Sequence, residues 1–167
     1  ATLVVVRGRI AASPNVRSLA VLPFTNVSAD AGNEYFSDGM TEELIATLGR
    51  VEGLEVASRT SAFAYKNRSL DVREIGRQLG VDAVVEGSVR KEGSSLRITT
   101  QLVDARSGRQ LWSEAYDREA GDLFAVQEEI ARSIANSLRM ELGAIGPLVA
   151  RQTGDREAYE LYLKGRH

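Results

Sequence analysis

The sequence predicts an α/β domain on a mixed sheet of about five strands, parallel at its start and then an antiparallel meander, with helices packed on its faces. Three observations carry this. Strand-like and helix-like segments alternate through residues 18–91, the apolar period switches to two over 96–117, and a long amphipathic stretch closes the pattern at 120–142.

The first nine residues, "ATLVVVRGR", are either the trailing end of a transmembrane helix with Arg7 and Arg9 at the interface, or a short edge strand or linker start. "IAASPNVR" (10–17) is small and polar, as a linker is. "SLAVLPF" (18–24) is a continuous apolar run, expected of a strand buried on both faces. Pro23 has no N–H to give, so regular pairing should fail there. Phe36, Met40, Leu44 and Leu48, with Ile45 beside them, mark one face of a helix over about 34–50. Gly39 weakens its first half, and Thr41 followed by Glu42 and Glu43 offers a second start if the helix kinks.

Gly53 marks a turn before a second strand at about 54–59. "TSAFAYKNRSL" reads as a short helix or as a loop packed on the sheet. "DVREIGRQLGV" is a capped helix: Asp71 starts it, Val72, Ile75 and Leu79 form its stripe, and Gly80 suits the left-handed position after its end. "DAVVEGSVRK" follows as the third strand.

In the fourth strand (96–104), Leu96, Ile98, Thr100 and Leu102 alternate against Arg97, Thr99 and Gln101. The fifth (109–117) puts Trp112 and Tyr116 on one face, where core packing under a helix is favoured over a stacking platform. The joins "KEGSS" and "ARSG" are short and glycine-bearing, which makes strands three to five a meander. Its arginine-and-threonine face is expected to be solvated or lightly covered. The last long helix carries Leu123, Val126, Ile130, Ile134 and Leu138, and "GAIGP" ends it. "DREAYELYLKGRH" puts Ala158, Leu161 and Tyr162 at helical spacing, as the first helix of something longer.

Composition narrows the chemistry. A formal charge of −2 over 167 residues argues against a dedicated nucleic-acid binder. There is no cysteine, hence no disulfide framework and no thiolate zinc site. The single histidine is His167, so a Ser–His–Asp triad or a multi-histidine metal site has no place in the body of this chain. No cofactor, metal site or catalytic residue is expected. The start at Ala1 and the stop in mid-pattern suggest an excerpt of a longer protein.

Residues 25–34, "TNVSADAGNE", lie where an open α/β sheet holds phosphates, between a strand end and a helix start. The stretch has one glycine, no lysine and two acids, and matches neither phosphate-binding glycine pattern. The favoured reading is a loop whose Asn and Ser side chains satisfy their own backbone. The alternative function is a small-ligand-binding sensor with a polar pocket at the end of the first strand involving Asn26, Ser28 and Asn33, and Asp38 completes the candidate ligand or partner surface. Asp38 and Glu43 lie five residues apart on one helix and diverge, which makes carboxylate-only catalysis the weakest of the readings.

Several segments, in order, resemble the TolB-like (FlgO-like) bacterial domain over about residues 17–142. They include "LPF" (22–24), "EYFSDGMTEEL" (34–44) and "EGSVR" (86–90). The tail resembles the start of a tetratricopeptide array. The resemblance implies a non-catalytic α/β unit with no catalytic residues to carry over. It also implies a setting: a bacterial signalling protein whose kinase, adenylate/guanylate cyclase or winged-helix domain precedes the unit, often with a membrane span between. The organisation expected is therefore a linker or span end at 1–16, the α/β domain at 17–142, a linker at 143–154 and a repeat start at 155–167. The function expected is a non-enzymatic sensor or protein-interaction module on the extracytoplasmic side, with a cytoplasmic placement as the alternative. Its partners would be proteins, met through the domain and the repeats, or a second copy across an open sheet edge, with no nucleic acid bound by this segment.

Overall fold

The structure, a computed structural model, describes residues 16–138. The expected span end or linker at 1–16 (Val16 excepted), the end of the last helix, the linker at 143–154 and the repeat start at 155–167 lie outside the described residues.

Six strands form one sheet: β1 (Ser18–Val21), β2 (Thr25–Asn26), β3 (Glu55–Val56), β4 (Ala83–Glu92), β5 (Ser95–Asp104) and β6 (Gln110–Glu119). Their order is β3-β1-β4-β5-β6, with β2 pairing β4 beyond the end of β1. β1 is parallel to both β3 and β4, and β4, β5 and β6 form the antiparallel meander. The helices are α1 (Glu34–Leu48), α2 (Arg59–Phe63), α3 (Val72–Leu79) and α4 (Leu123–Ser137). Among the described residues no helix is long and apolar enough to cross a membrane.

The first strand divides at Pro23. Val21 pairs with Val85, but Thr25 pairs with Ser88, so the chain spends one residue more than β4 across the break. This is a bulge centred on the residue that has no N–H to offer. The N–H of Phe24, turned away from the ladder, donates to Oγ1 of Thr41 at 2.9 Å, and that hydroxyl donates in turn to the Ser37 carbonyl at 2.9 Å. Thr41 thus fastens the bulge to α1, which runs unbroken through Gly39.

One sheet face carries the main core. Leu19, Val21, Phe24, Val85, Val89, Leu96, Ile98, Leu102 and Tyr116 pack under Met40, Leu44 and Leu48 of α1 and Val126, Ile130 and Ile134 of α4. Full burial of each large aliphatic side chain contributes about 1.5–3 kcal/mol. Trp112 also packs against this core. Between the two helices Gln127 donates to Oγ1 of Thr47 and to the Glu43 carbonyl, a polar clasp inside an apolar layer.

The other face is covered over part of its width. Leu22, Val84 and Ala105 meet Ile75 of α3, with Tyr65, Leu70, Val72, Leu79 and Val81 around them. This coverage explains the pattern of β4. Ala83, Val84 and Val85 are all fully buried because both sides are packed there, whereas Glu86, Ser88 and Arg90 alternate against Gly87 and Val89 where the cover ends. α3 starts at Asp71, whose carboxylate accepts from the backbone and side chain of Arg73 and is held down to about 2, chiefly by the Arg73 side chain. It ends at Gly80 with φ +69°, the left-handed position anticipated for it.

Candidate functional site

The loop after the first strand is tied to the sheet. Oδ1 of Asn26 accepts from the Ser28 N–H at 2.9 Å, and its amide reaches the Asp30 carbonyl at 3.4 Å. Oγ of Ser28 accepts from the Lys91 N–H at 2.8 Å, and the Asn33 amide reaches the Lys91 carbonyl at 3.4 Å. Oδ1 of Asp30 accepts from the Gly32 N–H at 2.8 Å and so starts the 3₁₀ turn Ala31–Asn33 that leads into α1. The Asn26 side chain therefore ties the loop to itself, while those of Ser28 and Asn33 stitch it to β4. Asp38 faces another neighbour. Its Oδ2 lies 2.7 Å from Nζ of Lys66, which also lies 2.9 Å from Oε2 of Glu34. Hydrogen bonds to Asp38 first, and then to Glu34, hold the Lys66 ammonium above the ordinary lysine range. The clasp fixes the Tyr65–Ser69 segment against the start of α1.

The concave surface lies elsewhere, on the half of the sheet that α3 leaves uncovered. A groove of about 840 Å³ is lined by Tyr65 and Arg68 on one side and by Glu86, Thr99, Gln101 and Ser113 along its floor. A second hollow of about 500 Å³, towards Asp71 and Arg73, shares Glu86 and Gln101 with the first. The floor follows the strand register. Glu86 pairs with Gln101 and Gln101 with Ser113; in the next row Ser88 pairs with Thr99 and Thr99 with Ala115. The Ser88 and Thr99 hydroxyls are 2.5 Å apart. One row further, Arg97 grips Asp117 with both carboxylate oxygens at 2.9 Å.

Glu86 is the distinctive group. It is half-buried and accepts from Nε2 of Gln101 at 3.2 Å. Burial pushes its carboxyl above the usual carboxylate range, and the Gln101 hydrogen bond offsets that only in part. Among the described residues it makes no ion pair. Such a carboxylate in an open polar groove can accept hydrogen bonds from a cationic or donor-rich group. The sequence reading did not single out Glu86. Its signal was an ionisable residue directly after the buried run Ala83–Val85, where an alternating strand begins.

Residues 15–142 match the family described as HilA/YgeH-like transcriptional regulator, second domain. The chain belongs to that family. A protein of Rhizobium meliloti (strain 1021) named "Putative adenylate cyclase 3" is 46% identical to this HilA/YgeH-like second domain over 156 residues, 92% of the chain. The chain spans 26% of that relative's length. Lipoprotein GNA1162 of Neisseria meningitidis superposes with a TM-score of 0.54 at 24% identity, covering 73% of this chain and 99% of that one. TolB of Acinetobacter baumannii gives 0.52 at 18% identity, over 75% of this chain and 29% of TolB. The LpoB C-terminal domain of Salmonella enterica gives 0.51 at 16% identity, over 66% and 90% respectively. These three likenesses show that the fold of the HilA/YgeH-like second domain is TolB-like.

Proposed function

We propose that this HilA/YgeH-like second domain is a non-enzymatic interaction module that passes a signal to an output domain elsewhere in a larger bacterial protein. One observation carries the reading. The family is described as part of transcriptional regulators, while the 46%-identical relative is named an adenylate cyclase and is about four times as long as the match. A unit shared by two different outputs supplies what they have in common, which is reception of a partner or signal. The composition adds support: the body of the chain, up to residue 166, has neither histidine nor cysteine. The name of the cyclase relative also favours a cyclase output over a kinase for the parent of this chain.

Within the same proposal, a membrane span precedes the domain and a tetratricopeptide array follows it, with the domain on the extracytoplasmic side. The lipoprotein named among the structural likenesses supports an envelope setting, and the regulator description supports the cytoplasmic alternative. A ligand sensor at Asn26, Ser28 and Asn33 has less support, since those side chains are spent on Ser28, Asp30 and Lys91. Reciprocal affinity capture with the full-length parent and a version lacking residues 16–138 tests the module. Partners lost on deletion support it. Turnover of nucleotides or esters by the isolated 167-residue chain would overturn it. Protease accessibility of the parent in intact and permeabilised cells decides the side.

A further inference from the structure

We propose that the open face of the sheet holds a binding site for an organic cation, an alkylammonium or guanidinium group seated on Glu86 and on the amide and hydroxyl groups beside it. The position comes from the fold. Glu86 is the point where the two hollows of about 840 and 500 Å³ meet, on a stretch of β4 that α3 no longer covers. The chemistry comes from a count of donors and acceptors. An ionised carboxylate offers about four lone-pair sites, and Gln101 is the only described partner of Glu86, through a single N–H. Because Gln101 spends that amide nitrogen on Glu86, its carbonyl oxygen is left as a second acceptor on the same floor. The hydroxyls of Thr99 and Ser113 extend the row.

Three of the neighbouring cations are already committed to acids. Lys66 holds Asp38 and Glu34, Arg73 holds Asp71, and Arg97 holds Asp117. Arg68 sits at the rim with its guanidinium 5.3 Å from the centre of the Tyr65 ring. The floor is thus acceptor-rich and anionic, with a half-buried charge that the protein leaves without a counterion. A guanidinium brings five N–H donors and an ammonium three, which is the complement of this arrangement. Burial of Glu86 adds to the driving force, because a cation seated there offsets the desolvation that now disfavours the ionised form.

The cation has two sources, a free amine or the basic side chain of a protein partner, and the test separates them. Amide NMR titrations of the 167-residue chain use agmatine, the blocked peptide acetyl-Gly-Arg-Gly-amide, and 1,4-butanediol as a neutral control. Saturable shifts centred on Glu86, Gln101 and Ser113 are expected with a cation at millimolar affinity, on the order of 1 mM. Tighter binding of the peptide assigns the site to a partner's side chain; equal or tighter binding of agmatine assigns it to a free amine. Glu86→Gln keeps the shape and the Gln101 hydrogen bond and should weaken binding at least about tenfold. Glu86→Asp, which keeps the charge but withdraws it by one methylene, should give an intermediate loss. Absence of saturable shifts with both cations would overturn the proposal. So would equal shifts with butanediol, or unchanged binding in Glu86→Gln with the spectrum otherwise preserved.

Discussion

The ring of Phe24 occupies the space that a side chain on Gly87 would need: a Cβ built there would stand 2.5 Å from Cε2 of Phe24 and 2.5 Å from the Thr99 carbonyl oxygen. Phe24 is 1% exposed and ends the bulge at Pro23, so the bulge, the ring and the glycine form one packing unit. Gly87→Ala should cost about 1–3 kcal/mol, as overpacking does. Urea unfolding would show a lower midpoint with an unchanged slope. Phe24→Leu in the Gly87→Ala background should recover part of the loss, because the ring clash goes while the Thr99 carbonyl remains. Two losses that simply add would argue against the shared unit.

Thr41 supplies the acceptor for the bulge. Thr41→Val preserves shape and leaves the buried Phe24 N–H without its oxygen at 2.9 Å. The expected cost is about 1–3 kcal/mol, with Thr41→Ser close to the wild type. Amide hydrogen exchange gives a local reading. Protection at Phe24 should fall further than at Leu19, which lies on the regular ladder of β1.

What the sequence revealed about this fold was local. Gly80 could be read because a left-handed residue after a helix is a requirement of the helix itself, and Asp71 because a cap serves its own turn. The apolar spacing of α1 and the alternation of β5 were legible for the same reason, and Pro23 foretold the break in the first strand. The reasons for Gly87 and Gly76 were not legible, since Phe24 and Ala105, which crowd them, come from distant segments. Thr41 read as a helix start, yet its hydroxyl serves another strand. β2, two residues long, exists because the bulge resets the register, which no propensity encodes. The arginine-and-threonine face of the meander was anticipated as solvated or lightly covered. That this face becomes a groove with Glu86 at its centre depended on where α3 stops.

Lys66 holds two acids at the start of α1, and Lys66→Met should remove about 1 kcal/mol of stability at low salt. Salt should narrow the gap between the two proteins, because the wild-type contribution is screened. Asp38→Asn in the Lys66→Met background should restore part of the loss by removing a half-buried charge with no cation beside it. The pH dependence has a definite sign. Lys66 titrates above its unfolded value, so its contribution is whole below about pH 10.4 and is lost as pH rises through the raised value. Denaturation midpoints between neutral and strongly alkaline pH should converge for wild type and Lys66→Met.

Glu86 has the opposite sign. Burial raises its folded-state pKa above the unfolded one, so between the two values the folded protein binds more protons than the unfolded chain, and stability falls as pH rises. Below about pH 4.3, the ordinary glutamate value, both states are protonated and the penalty disappears. Glu86→Gln removes the titration while keeping an oxygen for the Gln101 amide. It should therefore be at least as stable as the wild type at neutral pH, with the difference shrinking towards zero as pH falls into the acid range. Urea midpoints of the two proteins across that range measure it, and other carboxylates cancel in the comparison. A wild type that gains on Glu86→Gln as pH rises would mean that the fold already stabilises the charge, leaving the groove no unmet carboxylate. With the expected slope, addition of agmatine should reverse it: a bound cation lowers the Glu86 pKa, and the wild type then gains stability with pH where Glu86→Gln does not.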